Sequence, residues 1–293
     1  MSTPPVVTGI IIVHNGESFL DEAIASVRSQ TCSAWELVVV DDGSTDSSPE
    51  IARRHAETDR RIRVVGHADG GRHGMSATRN LGLDHAQGTY VGFLDADDVW
   101  CPTKLEDQLE ILHRHPEVGM VYGRTLVWHR WDPTSPDIDH FYALGVPPDR
   151  VYSPPILFRN LLRNVFQTPT TCNALVRRSV VDEVGRFEPA FQSMFEDQVF
   201  FAKVLLHSPV FVSDRVWAQY RQHERSSSVL SGAGGRHDAA HVRYLLWLRR
   251  YVSRTGDGRL GDRLAIERAL WRVRRQWYGG RIGRSVARRM PSR

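Results

Sequence analysis

Three short runs of this 293-residue chain carry residue types suited to chemistry, and each follows a strand-like stretch. His14-Asn15-Gly16-Glu17 follows the apolar run that ends at Val13. Asp41-Asp42-Gly43-Ser44-Thr45-Asp46 follows Leu37–Val40, and Asp95-Ala96-Asp97-Asp98 follows Tyr90–Leu94. In an open parallel sheet, ligands bind beyond the carboxyl ends of the strands. The two acidic loops would therefore bring Asp41, Asp42, Asp95, Asp97 and Asp98 to one edge, with Asp46 close by. Uncompensated, these would repel one another. The arrangement calls for a cation or a set of hydrogen-bond donors, and oxygen-rich sites favour Mg²⁺ or Mn²⁺ shared with a substrate's phosphates. Each motif also has a plain explanation, since Asp-Asp-Gly-Ser makes a good turn and Asp-x-Asp arises in any acidic loop. Their order behind buried strands favours a site. A later pair, Glu196-Asp197, precedes a helical pattern, where acids also suit the helix N-terminus.

The elements that must position these residues alternate. Gly9–Val13 is a continuous apolar run rich in β-branched residues, suited to a strand covered on both faces. Ser18 offers an N-cap ahead of Leu20, Ile24 and Val27 at helical spacing. Ser48-Pro49, an N-cap followed by a proline suited to the first helical position, opens a helix towards Ala56. Ile62–Val65 predicts a third strand, Ala77–Ala86 a helix stopped at Gly88, and Pro102–His113 another helix. This alternation predicts right-handed βαβ units and a parallel sheet.

After Val118–Tyr122 the pattern loosens. Six prolines between 124 and 155 predict an irregular insertion. A strand near Asn173–Val176, helices over Ser179–Val184 and Asp197–Leu206, and two short strands at Val210–Val212 and Trp217–Arg221 follow. Ser226–Gly235 has the composition of a linker. Beyond it, Tyr244, Leu245, Leu248, Tyr251 and Val252 share one helical face, as do Ile266, Leu270, Val273 and Trp277, with Gly279-Gly280 ending the second helix.

Composition narrows the classes. The chain is 41% hydrophobic and 25% charged, which excludes wholesale disorder. Three cysteines without a C-x-x-C pair encode neither a disulfide framework nor a zinc site. No leader and no apolar stretch of about 18 residues is visible, so a cytoplasmic protein is expected. The net charge of +4 hides an asymmetry: 16 arginines face four acids after residue 235, leaving 22 basic and 30 acidic residues before it. An acidic body thus carries a basic tail, whose expected partners are an anionic membrane surface on the inner face, the body itself or a second copy of the chain. Nucleic acid is disfavoured, because the tail's aromatics fall on apolar helical faces.

Ile10–Gly16, Asp41–Asp46, Ala77-Thr78-Arg79-Asn80-Leu81-Gly82, Phe93–Asp98, Phe195-Glu196-Asp197 and Tyr220-Arg221-Gln222-His223 resemble, in order, the signatures of glycosyltransferase family 2. The resemblance spans about residues 6–228 and implies the GT-A fold, an α/β architecture with a Rossmann-like, mostly parallel central sheet flanked by helices. A catalytic domain over 1–228 is expected, with a nucleotide-binding half to about 123 and an acceptor-side half over 124–228. The basic helical tail, 236–293, lies outside it. The implied activity is inverting, metal-dependent transfer of a sugar from a nucleoside-diphosphate donor to an acceptor hydroxyl, in polysaccharide, glycolipid or glycoconjugate synthesis. UDP or dTDP is expected over GDP as the donor's nucleotide, and the acceptor would be lipid-linked or saccharide.

By the same resemblance, Ile12, Val13, His14, Asn15, Glu17, Asp42, Arg79, Asp95 and Ala96 would line the nucleotide-sugar. Asp97 and His223 would hold Mn²⁺ or Mg²⁺, and Asp197, beside Glu196, would be the general base. The family usually carries Pro at the Ile12 position and Tyr at the His14 position; an imidazole can still stack on a pyrimidine. Residue chemistry agrees, since a cation neutralises a leaving diphosphate and a carboxylate accepts the attacking hydroxyl's proton. Two rivals are a sugar-nucleotide pyrophosphorylase and a non-catalytic binder using the tail. The first needs a basic, Gly-rich loop after the first strand, and His14–Ser18 has none.

Overall fold

The computed structural model describes residues 5–192, 194–224, 226, 236–256 and 259–287. Its sheet grows from β1 (Val7–Val13), a strand with every residue buried. β2 (Trp35–Asp41) and β4 (Tyr90–Asp95) flank it in parallel, and β3 (Ile62–Gly66) lies outside β2. Side chains of β1 alternate between two cores. Ile10 and Ile12 join Val38, Val40 and Phe93 on one face, while Val7, Ile11 and Val13 join Leu37, Val39 and Leu94 on the other. α1 (Leu20–Arg28), α2 (Ser48–Thr58) and α4 (Lys104–Arg114) cover the second face; α3 (Met75–Asp84) covers the first. Gly82 explains how closely α3 lies on β1, because a Cβ there would stand 2.5 Å from Ile10 Cγ2.

Neither expected serine cap forms. α1 begins after Phe19 with no side-chain cap, and Ser48, the first residue of α2, accepts instead from the Gly16 N–H at 2.9 Å.

The second half is mixed. After β5 (Val99–Trp100) come β6 (Met120–Trp128), β7 (Arg150–Tyr152), α5 (Ile156–Leu161), β8 (Leu175–Arg177), α6 (Arg178–Glu183), α7 (Glu196–His207) and β9 (Val210–Arg221). The sheet order is β3-β2-β1-β4-β8-β6-β9-β5, with β7 on β9. β8 is antiparallel to both β4 and β6. The two strands expected at Val210–Val212 and Trp217–Arg221 are one, β9. Its exposed Asp214–Val216 segment is where the register with β6 shifts beside Arg124, so a bulge gave the appearance of a break. The insertion contains two elements its prolines concealed, the end of β6 and the short β7; α5 was also unforeseen.

The tail folds onto the body. α8 (Arg236–Thr255) and α9 (Leu260–Ala287) bury Tyr244, Leu245, Leu248, Val252, Ile266, Leu270 and Val273 in the first core, beside Phe195, Phe200 and Leu205. Asp262, fully buried, binds Arg159 of α5 at 2.8 Å. Gly279-Gly280 does not end α9, since a glycine inside a helix costs only about 1 kcal/mol relative to Ala. The expected linker, apart from Ser226, and the side chain of Trp277 lie outside the described residues. Among the described residues no helix is long and apolar enough to cross a membrane.

Candidate active site

The loops after β1 and β2 are laced together. Asn15, at φ 53°, donates its N–H to Ser44 Oγ at 3.0 Å and accepts the Thr45 N–H on Oδ1 at 2.8 Å. The Glu17 N–H reaches Asp46 Oδ2, and Glu17 Oε2 accepts the Ser47 N–H, both at 3.0 Å. Asn15 and Glu17 thus bind the neighbouring loop. The side chains of Ile12 and Val13 belong to the two cores, so these residues offer a ligand only backbone. His14 is half-buried, and its Nδ1 lies 3.0 Å from the Asp42 carbonyl oxygen. A carbonyl only accepts, so Nδ1 carries the proton. Gly43, at φ +72°, turns the chain just after Asp42, a conformation that suits glycine.

Asp42 is 5% exposed and binds the loop ahead of α3. Its Oδ1 accepts the His73 N–H at 2.7 Å, and its Oδ2 accepts the Gly74 N–H at 3.0 Å. The side chain therefore fixes the entrance to α3.

Beyond β4 the acids have separate fates. Asp95 Oδ1 accepts from Arg79 at 2.6 Å, and its Oδ2 accepts the Thr171 hydroxyl at 2.9 Å. Ala96, between the acids, is partly buried against the second core. Asp97 remains partly exposed, with Oδ2 2.9 Å from His223 Nε2. Asp98 is buried and accepts the Arg221 N–H at 3.0 Å. Burial and the charges of Asp97 and Asp95 push its carboxyl well above the usual range.

Arg221 holds this corner. Its guanidinium lies 4.5–5.1 Å from the ring centroids of Trp128, Phe19 and Trp131, and its Nε donates to the Asp97 carbonyl at 2.8 Å. Trp128 and Trp131 are thereby engaged by the chain's own cation. Trp100 is core.

Arg79 joins β4 to α7. At 1% exposure it donates to Asp95 and, at 3.1 Å, to Glu196 Oε1. Burial opposes its charge, but Asp95 and Glu196 outweigh that and hold it above the ordinary arginine value. Asp197, next to Glu196 in the first turn of α7, lines a cavity of about 350 Å³ together with Asp95, Thr171, Tyr220 and His237. Burial and then the Glu196 charge push its carboxyl up to about 7, against the pull of Arg79.

The fold thus brings Asp95, Asp97, Glu196, Asp197, Arg79 and His223 to the carboxyl ends of the strands. It leaves Ile12 and Val13 in the cores and commits Asn15, Glu17 and Asp42 to bracing loops. Thr171 and His237 went unread, and Arg221 was read only as part of the Tyr220–His223 motif, with no role of its own. For Arg79, the helical signal was available: it shares a face with Gly82 and Leu83, four positions or fewer away, both turned to the sheet.

Among the described residues no group of three His, Cys, Asp or Glu side chains is arranged to hold a metal. Asp97 and His223 together offer one carboxylate and one imidazole. A divalent cation shared with a diphosphate needs only one or two protein ligands, so this donor set fits one.

A model of the family described as Glycosyl transferase family 2 matches residues 8–185. EpsJ of Bacillus subtilis (strain 168), an uncharacterized glycosyltransferase, is 46% identical over 94 residues, which are 32% of this chain and 26% of EpsJ. TuaG of the same strain, a glycosyltransferase named for teichuronic acid biosynthesis, is 39% identical over 108 residues, 37% of this chain and 42% of TuaG. The chain thus spans less than half the length of these relatives. The crystal structure of S. aureus TarS 1–349 in complex with UDP-GlcNAc superposes with a TM-score of 0.64 at 19% identity, over 92% of this chain and 80% of the other. That likeness shows the GT-A fold.

Proposed function

From the premise that the chain belongs to glycosyltransferase family 2, we propose that it moves a sugar from a nucleoside-diphosphate donor to an acceptor hydroxyl by a single, inverting displacement. The observation that carries this reading is the placement of Asp197, a carboxyl pushed up to about 7, on the same cavity as Asp95 at the end of β4. A group titrating near neutrality is suited to accept a proton in the transition state.

In this reading the nucleotide lies over the braced loops after β1 and β2, against His14. Asp95, fixed by Arg79 and Thr171, faces the ribose or sugar. Asp97 and His223 would hold Mn²⁺ or Mg²⁺, which when bound neutralises charge on the leaving diphosphate. Asp197 takes the proton of the acceptor hydroxyl as the oxygen closes on the anomeric carbon, and one carboxylate acting on one face inverts the anomer. Arg79 pairs with both Glu196 and Asp95 and so holds these two carboxylates in place beside Asp197. TuaG's name supports polysaccharide synthesis as the setting. The catalytic body would extend to residue 228, with the helical tail as a second part.

The test is a panel of UDP-, dTDP- and GDP-sugars incubated with the protein and Mn²⁺, reading release of the nucleoside diphosphate. Slow hydrolysis of one donor, removed by chelation, is expected. No release from any donor, with no calorimetric binding of UDP, dTDP or GDP, would refute the reading.

A further inference from the structure

The last two helices lie beyond the matched stretch 8–185, yet α8 reaches the cavity that holds Asp197. His237, His241 and Tyr244 are spaced i, i+4 and i+7, which places them on one helical face. The ring of Phe195 lies against that face. Its centroid is 4.9 Å from His241 and 5.4 Å from Tyr244, at interplanar angles of 22° and 11°, and 5.3 Å from His237.

Phe195 immediately precedes Glu196 and Asp197, and its backbone is left-handed, at φ 61° and ψ 11°. A residue with a bulky side chain persists in that region only where its surroundings over-determine it. Here the surroundings are rings of α8. Burial pushes His241 down to about 4, so at neutral pH it stacks as an uncharged ring. Tyr244 is 1% exposed and its hydroxyl lacks a hydrogen-bond partner, so the ring accounts for its contacts. Burial and the charge of Asp197 raise that hydroxyl's pKa.

Resting on the assignment of Asp197 as general base, we propose that His241 and Tyr244 are positioning residues, whose stack on Phe195 locks the left-handed turn that sets Asp197 in the cavity. The tail then has a part in the reaction: like Asp197 itself, it lies beyond the matched stretch 8–185, and its rings complete the support of that carboxylate.

The test measures kcat and donor KM on the full chain, using the nucleotide sugar hydrolysed fastest in the panel above. His241→Ala and Tyr244→Ala should each lose at least tenfold in kcat with donor KM within twofold. His241→Phe and Tyr244→Phe keep the rings and should stay within threefold of the starting protein. Because the rings act through Phe195, the Phe195→Ala/Tyr244→Ala double variant should be no more than threefold worse than Phe195→Ala. Three results overturn the proposal: alanine variants with unchanged kcat, phenylalanine variants as poor as the alanine ones, or losses that multiply in the double variant. A fall in kcat matched by an equal rise in KM, the mark of a disordered site, overturns it as well. Asp197→Asn separates the two assignments: full turnover in that variant removes the base, while the ring variants still report whether α8 controls kcat.

Discussion

Replacing Asp197 with Asn should lower activity and raise stability, the second mostly above mildly acidic pH. The Asp197 carboxyl, ordinarily at 3.8, is pushed up to about 7, chiefly by burial. Between those pH values the folded chain keeps a proton that the unfolded chain has released. Stability therefore falls as pH rises through the window, and the full cost is reached above pH 7. At 1.36 kcal/mol for each of roughly three pH units, that cost is about 4 kcal/mol. Partial exposure of the carboxyl to the cavity screens it, leaving on the order of 1–3 kcal/mol to be recovered at pH 8. Asparagine carries no charge at any pH and retains an oxygen for the Gln198 N–H, now 2.7 Å from Oδ1. Urea denaturation of both proteins at pH 4.5 and pH 8 measures the difference, which at the lower pH should be about a quarter of its value at pH 8. Turnover should fall about 10²- to 10⁴-fold, and the acid limb near pH 7 in the kcat profile should disappear. Equal denaturation midpoints at both pH values would refute the electrostatic reasoning. Turnover within threefold would remove Asp197 from the reaction.

Asp97→Ala should abolish Mn²⁺-dependent binding of a nucleoside diphosphate while leaving the fold intact, because the side chain is partly exposed and its partner is His223; calorimetry with and without the metal decides. Arg79→Met should destabilise by about 3–5 kcal/mol, since it strands Asp95 and Glu196, and Arg79→Lys should recover little because an ammonium cannot fork between two carboxylates; thermal denaturation measures both. The arginine-rich outer faces of α8 and α9 should sediment the protein with anionic vesicles and not with neutral ones. High salt should reverse this, because the apolar faces that would insert are buried against the body. A chain ended after Gly235 should precipitate, as it uncovers Phe195, Phe200 and Leu205.

The parallel half was legible because its signals are local. The Ile10–Val13 run, the acids after β2 and β4, and the helical spacing of Leu20, Ile24 and Val27 each sit within a few residues. Glu196-Asp197 was legible from its place before an apolar helix. What escaped depends on pairing across the chain. That Asn15 meets Ser44 and Thr45, and Glu17 meets Ser47, follows from two loops lying side by side, which residue types alone do not specify. Arg221 looked like an ordinary motif arginine until three rings from α1's approach and the 124–155 insertion closed on it. Exposed Asp214–Val216 read as a gap because a bulge and a loop share the same polarity.

The sheet order has a consequence for synthesis. β4 is complete once Asp95 has been made, but its outer edge waits for Leu175–Arg177, the three-residue strand that alone joins it to β6 among the described pairings. At roughly 5–20 residues per second, that interval lasts about 4–16 s on the ribosome. Throughout it, Tyr90-Val91-Gly92 presents unpaired backbone groups beside an apolar core, the template on which nascent chains aggregate. Yield from a recombinant host should therefore respond to translation speed between codons 95 and 177 and to chaperones that shield strand edges, far more than to changes in the finished protein's surface.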